Sequence, residues 1–382
     1  MSKYFDYNRL DQYNQLQLSS IDKIVNVRQD GRWEMRLDNL FLSDFVLCEQ
    51  LFKYRHIDCQ RMKGGKSWYA TFGIWWAHFL EDVYKDVSSR QSAKLEPPEK
   101  GDFISAAVRW WLRDDMDHFA LVAPKQYQAF SMGYVGVSVS KARAMKMPVG
   151  VVNIAVQYHD YFTRMHDFDN WKIIATETTF GLNSDVVIGE NDKVVVYYQG
   201  RPDIVGYDVG KGLLEPGDHK TTSSVTGDWE SDWATNSQLK GYVVAVRELA
   251  KQLRSSGRCP WLPVETEIKS CLINGAARDE PTKKPKDGIV KPRFNRVRQK
   301  YSEELLTEWR RDVVEKAARL RYCIENNVWT WKNSACNYQF GHPCEYRTPD
   351  SMSPSDRPAL FQSHYMTVEP WTPEIVGERK EV

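Results

Sequence analysis

The sequence predicts an α/β fold, a mixed central sheet flanked by helices, and three observations carry that expectation. Strand-type runs cluster in the middle of the chain: Val194–Tyr198 is β-branched and aromatic, Asp203-Ile204-Val205-Gly206 is a second short run, and Leu213-Leu214-Glu215 opens a third. Val209-Gly210-Lys211-Gly212 supplies turn chemistry between the last two, so the group reads as a β-meander. On either side apolar residues recur at helical spacing, Phe72, Trp75, Phe79 and Val83 before it, and Leu305, Trp309, Val313, Ala317, Leu320 and Ile324 after it. Finally, 382 residues at 42% hydrophobic and 27% charged suffice for one large core or two small ones.

Composition also narrows the partners. With a net charge of +1, any nucleic-acid footprint has to be a local patch rather than a global excess. No run approaches the roughly eighteen to twenty apolar residues of a membrane span, and Met1-Ser2-Lys3-Tyr4-Phe5-Asp6 lacks a signal-type apolar block, so the expectation is a cytoplasmic protein with no membrane partner. Seven Cys at irregular spacings argue against a secreted disulfide framework and leave buried thiols or metal ligands.

Taken in order, residues 1–38 are polar and aromatic with weak periodicity, an arm on the body of the domain. Ser43 offers an N-cap to a helix over 44–55 in which Phe45, Cys48 and Phe52 share a face. His78 lies beside the stripe of the next helix. Residues 86–170 are mostly helical in pattern, a helical insertion, and His118, His159 and His166 within it are structural. A strand over 173–180 carries Glu177, a candidate additional acid. Beyond the polar exit loop Thr221-Thr222-Ser223-Ser224, a helix over 229–253 places Gln238 and Tyr242 four apart on one face. From Arg278 to Lys300 nine Lys or Arg stand against three acids, a candidate phosphate-tracking patch that includes Lys291, Arg293, Arg296 and Arg298. Ser302 caps the long amphipathic helix, residues 329–346 contain Cys336 and Cys344, and 349–382 is a Pro-rich tail expected to be irregular.

The chemistry concentrates at Asp203 and at Asp218-His219-Lys220. Asp218 and Lys220 project from one face of their strand, because strand side chains alternate with period two. A hairpin back to Asp203 brings two carboxylates and an ammonium into one small volume. Carboxylates at that density repel unless a hard cation lies between them, and an oxygen-rich open site suits Mg²⁺ or Mn²⁺. Lys220 would then orient or help deprotonate an attacking water, or stabilise charge developing on phosphate oxygens.

Asp203 followed by Asp218-His219-Lys220 resembles the Asp…(Asp/Glu)-x-Lys core of the PD-(D/E)XK nuclease superfamily. Gly200-Arg201-Pro202-Asp203 with Asp218-His219-Lys220-Thr221 is similar to its RecB-like branch, phage-type exonucleases included. Cys48, His78, Asp203, Asp218, Lys220, Gln238 and Tyr242 occur in that family's order. The resemblance implies a restriction-endonuclease-like nuclease domain over 39–348. It implies His78, Asp203 and Asp218 as metal ligands, Lys220 at the nucleophile, and Gln238 with Tyr242 as support for the active site or contacts to DNA. In relatives with an iron–sulfur cluster the residue matching Cys48 is the first ligand, and Cys336 and Cys344 resemble later ones. The last family Cys after Cys344 is missing here, so an iron–sulfur cluster, a zinc site that recruits His342, and metal-free aromatic packing stay open.

The function this implies is a Mg²⁺- or Mn²⁺-dependent DNA nuclease, exonuclease rather than endonuclease, acting in recombination, repair or phage replication. A helicase or recombinase is the implied partner. The alternative is a non-catalytic nucleic-acid-binding subunit that retains the fold. No Gly-x-x-x-x-Gly-Lys-Ser/Thr loop occurs, so the chain is not itself a helicase motor of that kind.

Overall fold

The computed structural model describes residues 21–63, 68–113, 149–176, 186–222, 224–225, 229–255, 257, 268–277, 293–332, 334 and 344–368. The chain divides into two compact units. A central unit takes Gly65–Thr178 and Arg201–Ser302, and a terminal unit takes Met1–Gly64, Thr179–Gly200 and Glu303–Val382. The strands are β1 (Val25–Val27), β2 (Trp33–Leu37), β3 (Gln60–Met62), β4 (Trp171–Thr176), β5 (Val186–Glu190), β6 (Val194–Tyr198), β7 (Ile204–Asp208), β8 (Leu213–Thr222), β9 (Ser270–Ala277), β10 (Phe294–Lys300) and β11 (Tyr365–Thr367). The main helices are α1 (Asn39–Leu47), α2 (Trp68–Ala93), α3 (Lys100–Arg113), α4 (Val149–Arg164), α5 (Ser237–Ser255), α6 (Glu303–Asn326) and α7 (Arg357–His364). No described helix is long and apolar enough to cross a membrane.

The central unit holds a mixed sheet in the order β10-β9-β8-β7-β4, in which β8 and β9 run parallel and the other pairs antiparallel. Parallel neighbours need a crossover, and α5 lies in the chain between them. The expected stripe of α2 is buried, Phe72, Trp75, Phe79 and Val83 joined by Trp76 and Leu80. These side chains share one core with Phe103 of α3, Tyr158 of α4 and Ile204, Leu272 and Phe294 of the sheet. The described helices of the 86–170 stretch thus form a layer of this core. Two glycines are set by close neighbours: a Cβ on Gly217 would run into Ile204 Cγ2 of the paired strand, and one on Gly275 into the Trp229 ring.

The terminal unit has its own mixed sheet, β1-β2-β6-β5, with β2 and β6 parallel. Here α6 buries Leu306, Trp309, Val313, Val314, Ala317, Leu320, Cys323 and Ile324. Leu306 replaces the expected Leu305, which is exposed. A Cβ on Gly189 of β5 would come 2.7 Å from Val314 Cγ2. The meander expectation is corrected at this point, because β6 pairs with β2 and β5 while β7 pairs with β8. Pro202, with no N–H to offer a ladder, separates the two strands. Residues of the expected arm form β1 and β2, and α1 starts under Asp38, whose carboxylate accepts the Phe41 N–H at 2.7 Å, with Ser43 inside the helix. The expected irregular tail supplies α7 and β11, the latter antiparallel to β3.

Candidate active site

Hairpin register brings the acidic residues together. Ile204 pairs with Gly217, so Asp203 and Asp218 follow as neighbours across β7 and β8. The Asp203 carboxylate accepts the main-chain N–H of His219 at 2.5 Å. Lys220 Nζ lies 2.6 Å from Asp218 Oδ2 and donates to Gln238 Oε1 at 3.2 Å. Gln238 Nε2 donates to the Tyr242 hydroxyl at 2.7 Å, and that hydroxyl donates to the Arg201 carbonyl at 3.0 Å, just before the Asp203 turn. The Gln-x-x-x-Tyr face of α5 thus ties the lysine of β8 to the entry of β7.

Asp218 is only 2% exposed, whereas the Lys220 side chain is 30% exposed. Burial opposes the Lys220 charge, but the fields of Asp218 and then Asp203 outweigh it and hold the pKa above the ordinary lysine value. The ammonium persists at neutral pH. On the reverse face of β8, burial and the charges of Arg296 and Lys220 push the His219 imidazole down to about 3, so it is neutral.

The donor set suits a hard divalent cation. Two carboxylates converge beside one ammonium, and the buried Asp218 Oδ2 receives no well-directed hydrogen bond despite its ion pair, leaving lone-pair capacity for a metal. Mg²⁺ in particular binds through one or two carboxylates and keeps waters and substrate oxygens as its remaining ligands.

The structure does not bring His78 to this group. Its ring packs against Trp110 of α3 with centroids 4.3 Å apart. Among the described residues no three His, Cys, Asp or Glu side chains gather to hold a metal ion. For His78 the cause is helical phase, since it lies off the Trp75–Phe79 stripe and towards α3. Glu177 lies outside the described residues.

The described arginines of the basic stretch have partners within the protein. Arg296 forms a two-pronged pair with the buried Asp167, 2.7 Å at its Nη2. Arg298 pairs with Glu215 at 2.7 Å and with Asp208 at 2.9 Å. Arg293 donates to Gln157 and to the Ala277 carbonyl. These three cations meet protein carboxylates, an amide and a carbonyl, and Lys291 lies outside the described residues. Sequence reading missed Glu215 in this role. A lone carboxylate in the apolar run Leu213-Leu214-Glu215-Pro216, three positions and hence one face away from Asp218, was the available signal.

In the terminal unit Cys48 and Cys344 meet in an apolar cluster with Leu51, Tyr54, Tyr346, Phe361 and Tyr365. Burial pushes the Cys344 thiol up, and Cys323 in α6 is pushed up to about 12. Cys336 and His342 lie outside the described residues, and the thiols that are described fit aromatic packing.

A centre of this kind, paired carboxylates and a fixed ammonium at the end of a mixed sheet, is suited to oxygen-rich, negatively charged substrates handled through a hard cation, the chemistry of phosphodiester cleavage. Comparison with protein families points the same way. The model of the PD-(D/E)XK nuclease superfamily matches residues 43–348, and the chain belongs to that superfamily. Comparison with curated proteins finds no match.

Proposed function

We propose that this chain is a divalent-cation-dependent deoxyribonuclease that hydrolyses phosphodiester bonds, acting as an exonuclease of RecB-like type. Asp203 and Asp218 are the residues that would hold Mg²⁺ or Mn²⁺. Bound there, such an ion polarises a phosphoryl oxygen and acidifies water. Lys220, kept charged by both carboxylates and oriented by Gln238, faces the same volume and stabilises negative charge that develops on the phosphate. Tyr242 holds Gln238 in the rotamer this requires. The observation that carries the reading is the continuous chain from Asp218 through Lys220 and Gln238 to Tyr242, which joins four motif residues from two elements.

DNA is the substrate that membership in a nuclease superfamily favours. A helicase or recombinase that delivers DNA ends is the class of partner an exonuclease calls for in recombination, repair or phage replication. Incubating the protein with end-labelled single- and double-stranded DNA and with a closed circle, under Mg²⁺, Mn²⁺ or chelator, tests each part. The expected result is metal-dependent release of short products from ends and an intact circle. Cleavage of the circle would replace exonuclease by endonuclease action. Binding without cleavage under any metal would leave the non-catalytic subunit.

A further inference from the structure

A closed ring of four side chains lies behind the active-site strand. His219 sits between Asp218 and Lys220 in sequence, so its side chain leaves β8 on the opposite face. Its imidazole stacks on Tyr84 of α2, centroids 5.4 Å apart and planes 14° from parallel. His219 is in register with Asn274 of the parallel strand β9, and its Nδ1 lies 3.3 Å from Asn274 Nδ2. Asn274 Nδ2 also donates to the Tyr158 hydroxyl of α4 at 2.6 Å, and the Tyr158 and Tyr84 hydroxyls are 2.9 Å apart. With the imidazole proton on Nε2, the two hydrogens of one amide serve Tyr158 and His219 together. The ring thus links two helices to two strands, and Tyr84, Tyr158 and Asn274 are all buried.

The same residue reaches the front face through its backbone, because the His219 N–H is the donor to Asp203. A rotation of the main chain at 219 would therefore move three groups at once: the hydrogen bond to Asp203, the direction of Asp218 and the direction of Lys220. Nothing about phosphodiester chemistry requires an imidazole on the back of the strand. A merely space-filling role would not require the Asn274 and Tyr158 hydrogen bonds either, since an apolar side chain could occupy that volume without a polar group to satisfy.

We propose that His219 and Asn274 are positioning residues, which fix the twist of β8 so that Asp203, Asp218 and Lys220 hold a common geometry. The inference rests on the nuclease reading of that triad. Supporting hydrogen bonds around metal-binding groups are worth about 10- to 100-fold in metal affinity or activity when removed.

The test compares His219→Leu, His219→Gln, Asn274→Leu and Tyr158→Phe with the parent and with Asp218→Asn. Cleavage of end-labelled DNA gives kcat and KM, calorimetry gives Mn²⁺ affinity, and thermal unfolding reports the fold. His219→Leu is expected to lower kcat about 10- to 100-fold and to weaken Mn²⁺ binding, with KM for DNA within about twofold of the parent. His219→Gln, whose amide oxygen can accept from Asn274, should recover most of both. Tyr158→Phe removes one hydroxyl and leaves the ring in place, and should give a smaller loss in the same direction, so it carries the test if the leucine variants fail to fold. Folded His219→Leu or Tyr158→Phe with parental kcat and Mn²⁺ affinity overturns the proposal, as does a fall in melting temperature with no change in either. If instead Asp218→Asn binds Mn²⁺ and acts like the parent, it is the triad assignment that fails.

Discussion

The central and terminal units are built alike and treat their motif residues in opposite ways. Each has a mixed sheet with one parallel pair, covered by a helix with an apolar stripe. In the central unit the motif residues are polar and become links of a chain made of one ion pair and three hydrogen bonds, Asp218, Lys220, Gln238, Tyr242 and the Arg201 carbonyl. In the terminal unit the motif residues Cys48 and Cys344 sit among Leu51, Tyr54, Tyr346 and Phe361. A carboxylate or ammonium in a protein interior has to find a partner, so its position reports chemistry. A thiol is content as a small hydrophobe, and its position reports chemistry only when further ligands join it.

The sharpest way to break that contrast is at Asp218. Asp218→Asn keeps the shape, removes the charge and should abolish Mn²⁺ binding and lower DNA cleavage by several orders of magnitude, with the far-ultraviolet dichroism unchanged. Parental turnover in this variant would mean that the acidic centre has no catalytic role. Lys220→Met separates the two jobs within the centre. It should bind Mn²⁺ at least as tightly as the parent, because a competing cation at 2.6 Å from Asp218 is gone, yet turn over far more slowly. Lost Mn²⁺ affinity in calorimetry would make Lys220 part of the metal site instead.

A smaller effect distinguishes structural from substrate-facing cations. Arg296→Gln leaves the Asp167 carboxylate buried without its partner and should cost about 3–5 kcal/mol in urea unfolding. Its DNA affinity, measured in the folded range, should keep the parental dependence on salt. A slope reduced by about one in log affinity against log salt would return Arg296 to phosphate binding.

What could be read from the sequence follows the same division. The Asp203 hairpin, the shared face of Asp218 and Lys220, and the pairing of Gln238 with Tyr242 depend on strand and helix periods, which are local. The mixed α/β architecture follows from the same periods. The positions that depend on partners distant in sequence were not legible. Whether Arg296 meets a phosphate or Asp167 is decided across 129 positions of chain, and the ring of His78 goes to Trp110 because of how two helices pack. The assignment of β6 to the terminal sheet is likewise a matter of which distant strand, β2, runs alongside it.

The least of the expected effects concerns the terminal unit alone and turns on Glu49. Its carboxylate accepts from Arg319 at 2.8 Å, from the Thr330 N–H at 2.9 Å and from the Thr330 hydroxyl at 2.7 Å, which fastens the turn after α6 to the chain beside Cys48. Burial opposes the charge, but the Arg319 and Thr330 hydrogen bonds prevail and hold the pKa at about 2, against 4.5 for the free side chain. A carboxyl depressed on folding contributes stability that is fully present above the unfolded value and is lost as pH falls through the folded one. The clasp therefore supports the terminal unit above pH 4.5 and fades between there and about 2. Because the group is partly open to solvent, the contribution is about 1–2 kcal/mol after allowance for screening. Glu49→Gln should lower stability at pH 7 by that amount and flatten its pH dependence across the window. Hydrogen exchange at amides of α6, read against those of β8, separates the two units. A variant whose α6 amides are as acid-sensitive as the parent's would show that the clasp is not what couples the terminal unit to pH.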